Sequence, residues 1–299
     1  MLSPEASASP TQIDRKRKRE GAEESMATAE SAACEVARLP EELLSAAISR
    51  AAPRDACRAA AVSPAFRAAA DSDAVWSSFL PGGLPPLADG ELDPVPPSKK
   101  ALFMRLSEPD RPVLLADRLV SMWLDRESGV KCYMLSARAL QITWGDTPQY
   151  WRWIPLANSR FSEAAKLRAV CWLEIHGKLH SKMLSQNSTY AAYIVFKIAH
   201  KSYGLDLPFQ DASVSIGERK STRQVCVYNS EDSEDYDFPP EDNAVLPQKR
   251  ADDWMELEMG SFYNEESDDG EVCISLMETK GGNWKKGLIV KGIEIRAKK

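Results

Sequence analysis

The chain has 299 residues and lacks any apolar run near the roughly 18 residues that a membrane-crossing helix needs. Its opening, "MLSPEASASPTQIDRKRKRE", has no apolar stretch after the start, so no secretory signal is expected. Cysteine is sparse: six residues, at 34, 57, 132, 171, 226 and 273, with no metal-ligand or disulfide-framework spacing. They read as reduced, mostly buried thiols of a cytosolic or nuclear protein. Histidine is scarcer still, three in all. His176 and His180 alternate onto one strand face but stand four residues apart, roughly 13 Å at strand rise, too far to share an ion unaided. No G-x-S-x-G, glycine-rich phosphate loop or Cys-His pairing is present, so neither nucleophilic catalysis nor a cofactor is expected. The chain reads as a non-enzyme without metal. The net charge of −6 weighs against a nucleic-acid partner, and the missing apolar run against a membrane one.

What is present falls into four compositional blocks. Residues 1–34 carry almost no aliphatic or aromatic surface to offset the entropy of ordering, so a disordered basic tail is expected there. The cluster "RKRKR" at 15–19 suits either a nuclear import signal or a solubilising charge run, and a nuclear and cytoplasmic location is expected. Residues 35–81 are alanine-rich and poor in β-branched side chains, which favours helix. Leu39, Leu43, Leu44, Ala47 and Ile48 mark one apolar face, Pro53 can open a second helix, Ser63-Pro64 a third, and Ser72 can cap a fourth. Four short helices make a thin core that would gain from a partner helix. Residues 82–100, dense in proline and glycine, predict a linker. From 101 a short helix, then from about 113 repeated strand patterns without crossover helices, predict an antiparallel β-sandwich in the block 101–299. In "CWLEIHGKLH" (171–180), Leu173, Ile175 and Leu179 face one side, and Trp172, Glu174, His176, Lys178 and His180 the other. The acidic stretch 229–242 predicts a solvated loop.

The densest aromatic segment is "ITWGDTPQYWRW" (142–153). Trp144 and Trp151 stand seven apart across a Gly-Asp-Thr-Pro turn, and Trp151 shares a strand face with Trp153. If Ile142 faces the core, Trp144 points inward near the strand end. Two readings stay open: the rings plug a sandwich, or a half-exposed pair offers a platform for the apolar face of a sugar, with carboxylates or amides at its rim for the hydroxyls.

The helical block closely resembles an F-box, on Leu39-Pro40, Glu41-Glu42, Asp55-Ala56-Cys57, Val62-Ser63-Pro64-Ala65-Phe66 and Trp76. The resemblance implies an adaptor of the Skp type, and through it a cullin, contacting Leu39, Pro40, Leu43, Leu44, Ile48, Val62 and Trp76. Ala46-Ala47 depart from the bulkier aliphatics common there, at about 1 kcal/mol per lost contact. The remainder resembles the plant phloem lectin (Nictaba-like) family, on "KCYMLSARAL", "ITWGDTPQYWRW", "WMELEMGSFYN" and "KGLIVKGIEIR". That resemblance implies a glycoprotein or N-acetylglucosamine-containing target, with a site at Trp144, Trp151, Glu258 and Glu265, Glu256 being the rival for the first acid. Asp252-Asp253-Trp254 replaces the family's Asp-Gly-Trp, which predicts an altered turn.

The expected fold is α+β multidomain: a small helical bundle, then a jelly-roll-like antiparallel sandwich. The expected function is substrate recognition in an SCF-type ubiquitin ligase. The alternatives are a lectin acting without a ligase, or an F-box receptor that recognises protein rather than glycan.

Overall fold

The structure, a computed structural model, describes residues 39–228 and 244–298. The basic tail, its 15–19 cluster and the acidic stretch 229–242 lie outside these residues. Among the described residues, no helix is long and apolar enough to cross a membrane.

Four short helices open the described chain: α1 (Glu41–Ile48), α2 (Pro53–Ala59), α3 (Pro64–Asp71) and α4 (Asp73–Phe79). Local chemistry sets their ends. Pro53 and Pro64 occupy first-turn positions where no intrahelical N–H is needed. The Ser63 hydroxyl accepts from the Phe66 N–H at 3.3 Å, and Ser72 caps α4 through Val75. Trp76 is fully buried at the bundle's centre and donates its indole N–H to the Ala70 carbonyl at 2.6 Å. The thin core is completed by the chain itself. Helix α5 (Lys99–Leu106) sets Phe103 against Trp76, ring centroids 5.2 Å apart, and Lys100 reaches Asp71 at 2.5 Å. Helix 99–106 therefore packs with the bundle as much as with the sandwich that follows it.

The proline-rich segment before α5 is likewise held. Leu87 bridges to Leu115, the Ala88 N–H donates to the Leu114 carbonyl, and Glu91 is paired with Arg105 and Arg160. Composition predicted a linker, but Leu84, Leu87, Ala88 and Leu92 give the segment enough apolar surface to lie down on the sandwich.

Among the described residues fourteen strands follow: β1 (Val113–Leu114), β2 (Val120–Leu124), β3 (Lys131–Ser136), β4 (Gln141–Ile142), β5 (Trp151–Pro155), β6 (Glu163–Leu167), β7 (Leu173–His180), β8 (Ser188–Tyr203), β9 (Gln210–Ile216), β10 (Arg219–Val225), β11 (Gln248–Lys249), β12 (Met255–Asn264), β13 (Glu271–Glu278) and β14 (Lys286–Ala297). One sheet runs β1-β2-β3-β14-β8-β12-β11, with β6 also on β14 and β5 on β6. The other runs β10-β9-β13-β7-β4. All strand pairs are antiparallel. The core lies between the sheets: Tyr133, Leu135, Ile194, Phe196, Ile293 and Ile295 meet Leu173, Ile175, Val214, Ile274 and Leu276, all buried. On β7, Gly177 lets the layers close, because a Cβ there would stand 3.1 Å from Ile293 and 3.2 Å from Leu135. The turn expected to change at Asp253 keeps a left-handed residue, with Asp253 at φ 61°, a conformation Asp tolerates better than most side chains.

The register puts the helical bundle and the exposed aromatic rim at opposite ends. The β2–β3 turn carries the bundle: Glu127 pairs with Arg54 at 3.6 Å, and Gly129 backs onto Phe79, Pro53 and Phe103. At the other end lie the β4–β5, β6–β7, β8–β9 and β13–β14 connections. Strand β14, with 12 residues, runs between the ends, a span of about 35–40 Å at strand rise.

Candidate functional sites at the two ends of the sandwich

At the helical end the apolar stripe of α1 divides. Leu44 (2 % exposed), Ile48 and Trp76 lie inside the bundle, so these three predicted adaptor contacts are corrected to core residues. Leu39, Pro40, Leu43 (55 % exposed) and Val62 stay outside. The helical period explains the split: Leu44 and Ile48, four apart, turn inward together, while Leu43 lies about 100° round the axis.

At the opposite end three tryptophans stand in solvent: Trp144, Trp172 and Trp284, 43 %, 42 % and 53 % exposed. Tyr203, the last residue of β8, and Leu207, on the β8–β9 connection, are exposed nearby. The rim is rigidly built. Lys285, fully buried, ion-pairs with Glu278 and donates to the Cys171 carbonyl at 3.0 Å and the Asn283 carbonyl at 2.6 Å. Its main chain also pairs with Val170. One lysine thus ties the loop bearing Trp284 to the segment leading to Trp172.

The opening aromatic stretch separates its rings. Trp144, at φ 57°, turns out of the strand and tilts against Tyr150, centroids 5.1 Å apart. The inward orientation expected of Trp144 is thus replaced by an outward one. Trp151 is only 2 % exposed, and Trp153 is covered by the Arg138 guanidinium 3.6 Å from its ring centre while donating to the Gly145 carbonyl. Trp151 is therefore corrected from a sugar platform to a core residue. Strand β5 pairs with β6, which lies on β14, and this side of β5 packs against the sandwich.

The predicted acids do not join Trp144. Glu258, on β12, accepts from Lys298 at 2.9 Å and Arg223 at 3.2 Å. Burial alone would raise its pKa, but these cations outweigh it and hold the carboxyl below 4.5. Glu265 pairs with Arg219 on β10. Strands β10 and β4 are opposite edges of the five-stranded sheet, so Glu265 and Trp144 lie apart. The rival Glu256 pairs with Arg250 and Arg296. It belongs to a cleft of about 560 Å³ on the nine-stranded sheet, where Arg250, Lys291 and Arg296 are all bonded to Asp252, Glu256 or Glu294.

Another acid, Glu174, stands beside Thr143 and Trp172 at this end of the sheet. Glu174, on the outward face of β7, accepts from the Thr143 hydroxyl at 2.9 Å and the Trp172 indole N–H at 2.8 Å, with His176 Nε2 2.9 Å away. The His176 and Trp172 hydrogen bonds lower its pKa below 4.5, so it is ionised at neutral pH. The outward alternation of 172, 174 and 176 was visible in sequence. What placed Thr143 against them was the β4–β7 pairing, with Gln141 opposite His176. Among the described residues, no group of three His, Cys, Asp or Glu is placed to hold a metal.

Comparison with known proteins gives two matches of different reach. The phloem protein 2 family matches residues 130–297, and the F-box-like family residues 36–80. "F-box protein PP2-B10" of Arabidopsis thaliana is 43 % identical over 268 residues, covering 87 % of this chain and 93 % of its own. "F-box protein PP2-B1" of the same plant is 39 % identical over 301 residues, covering 86 % and 88 %. Among solved structures, a xylan-binding domain of Paenibacillus barcinonensis Xyn10C covers 54 % of this chain and 87 % of its own at a TM-score of 0.29 and 12 % identity. A score so low transfers nothing about ligands.

Proposed function

Since the chain belongs to the phloem protein 2 family in its F-box-bearing form, we propose that it is the substrate-recognition subunit of an SCF-type ubiquitin ligase. The helical bundle holds a Skp-type adaptor, and through it a cullin. The opposite end of the sandwich holds a glycosylated target. The reading extends to a nuclear and cytoplasmic protein without catalysis of its own, which supplies proximity and orientation to an associated ubiquitin-conjugating enzyme.

The observation that carries this reading is the division of the bundle's aliphatic residues into buried and exposed sets. Leu39, Leu43 and Val62 are left in solvent on a bundle whose opposite side is closed by α5 and the β2–β3 turn. Exposed aliphatic side chains on a fixed helical bundle suit a hydrophobic groove on a partner. Because α5 fixes the bundle to the sandwich, adaptor and target would be held about one strand length apart.

Co-purification of the full chain with a plant Skp adaptor tests the reading. Wild type is expected to recover the adaptor in stoichiometric amount, and the double variant Leu39→Asp, Leu43→Asp to lose it while keeping its near-UV circular dichroism. Equal recovery by the two proteins overturns the proposal.

A further inference from the structure

The outer face of the nine-stranded sheet carries a row of cations that neither the adaptor end nor the aromatic rim uses. Arg152 on β5 stands opposite Lys166 on β6, Lys166 opposite Ile289 on β14, and Ile289 opposite Lys197 on β8. Residues paired in this way share one face of a sheet. Their chain neighbours Ala165, Val290 and Phe196 are buried in the core, so the row points away from the five-stranded sheet. We propose that this row docks an extended, acidic segment of a partner protein, whose Asp and Glu carboxylates supply the counter-charge that the sandwich itself withholds.

The energetics come first. Like charges directly opposite in an antiparallel pair destabilise it. Arg152 and Lys166 are so placed, and among the described residues neither they nor Lys197 forms an ion pair with a carboxylate. Elsewhere on the same sheet the cations are matched: Lys291 meets Asp252, and Arg250 and Arg296 both meet Glu256 and Glu294. The row is thus an uncompensated positive strip on a chain of net charge −6. Geometry then selects the occupant. Three strand steps of about 4.8 Å put the Arg152 and Lys197 backbones about 14 Å apart. One phosphate cannot span that distance, whereas carboxylates four positions apart on an extended chain stand ~13 Å apart. Lys197 is held in place, its ammonium 4.9 Å from the centre of the Trp254 ring. Ile289, half-buried at the middle of the row, gives the segment an apolar floor but nothing that could insert into a bilayer. Three cations also neutralise too few phosphates to hold a nucleic acid firmly.

Fluorescence anisotropy of the full chain with a labelled octapeptide of alternating Glu and Ser, at pH 7 and low salt, tests the proposal. The peptide is expected to bind, and to weaken about fivefold or more when salt is raised to physiological strength. The double variant Arg152→Gln, Lys166→Gln should weaken binding about tenfold or more, and Lys197→Gln by less. Lys220→Gln, at an exposed lysine on β10 of the other sheet, should leave it within about twofold. Lys166→Glu separates a docking role from a structural one. Set opposite Arg152, it replaces a repulsion by an attraction, so it should raise the melting temperature by about 1–3 °C while abolishing binding. A fall in melting temperature instead would mean that Lys166 serves the fold, and overturns the proposal. So does the absence of peptide binding at low salt, or binding that survives the double variant with its near-UV circular dichroism intact. Tighter, equally row-dependent binding of a singly phosphorylated Ser peptide of the same length, or of phosphatidylserine vesicles, overturns the acidic segment as occupant. Binding that appears only once residues 229–242 are deleted would make the chain's own acidic stretch the occupant, and overturns a partner.

Discussion

The two ends of the molecule carry the same raw material, large apolar side chains, and dispose of it in opposite ways. At the helical end the rings are inside: Trp76, Phe79 and Phe103 pack together, and the side chains left out are aliphatic, Leu39, Leu43 and Val62. At the far rim three indoles stand out, Trp144, Trp172 and Trp284, with Leu207 exposed near them, while Trp151 is covered. An aliphatic patch makes non-directional contacts and suits a groove lined by other hydrocarbon. An indole adds a flat face and an N–H, and suits a ligand that is apolar on one side and polar at its edge. The contrast teaches that exposure by itself names no partner, whereas what is exposed, and what holds it, narrows the partner's chemistry.

The comparison breaks most easily at its buried members. Trp76→Ala should cost about 3–5 kcal/mol, because a large side chain at full burial leaves a cavity that α5 alone cannot fill. Urea unfolding read by near-UV circular dichroism measures it, and a loss under ~1 kcal/mol would mean that the bundle is not built around this ring. At the far rim, Lys285→Met should cost about 3 kcal/mol by leaving the Glu278 carboxylate buried without its cation. The double variant Lys285→Met, Glu278→Leu should recover most of that loss, since the two buried charges then leave together. Failure of the second change to restore stability would show that the hydrogen bonds to Cys171 and Asn283, rather than charge, hold the rim.

Acid should touch the rim through Glu174. Its folded pKa is lowered by His176 and Trp172, so its contribution to stability is complete above the ordinary value of 4.5 and is lost as pH falls through the lower folded value. The stability difference between wild type and Glu174→Gln, followed by thermal melts from pH 7 to pH 3, should therefore shrink only on the acid side. A difference that shrinks toward neutral pH would mean that the carboxyl is held by something other than these donors.

The helices, their caps and the main strands were legible because local signals carry them. Pro53, Pro64, Ser63 and Ser72 mark starts by chemistry internal to each turn, and β7 declares itself by strict alternation. The prolyl segment was misjudged because composition reports what a stretch lacks and not the neighbouring surface its leucines can cover. The site was half legible. Trp144 is where the aromatic stretch put it, though facing outward. Glu174 was placed on the right face, but its meeting with Thr143 depends on a two-residue strand, β4, pairing across 31 positions. The sugar role of Trp151 came from the family resemblance, whereas the residues alone, with Trp151 and Trp153 on one strand face, left a core plug equally open. Which ring the sandwich covers is decided by β5 pairing with β6.

The smallest expected effect tests the helical end most sharply. Leu43 and Leu44 are adjacent and chemically identical, and differ only in which side of α1 they occupy, 55 % against 2 % exposed. Leu44→Ala should therefore lose about 2–5 kcal/mol of unfolding free energy. Leu43→Ala should stay within about 0.5 kcal/mol of wild type, since it opens no cavity and leaves no polar group unpaired. Adaptor recovery should respond the other way, falling with Leu43→Ala under conditions where the folded fraction is unchanged. Should Leu43→Ala destabilise the isolated chain as much as its neighbour does, the outward leucines would be part of the bundle's own packing. The contrast between an end that hides its rings and an end that shows them would then lose its functional meaning.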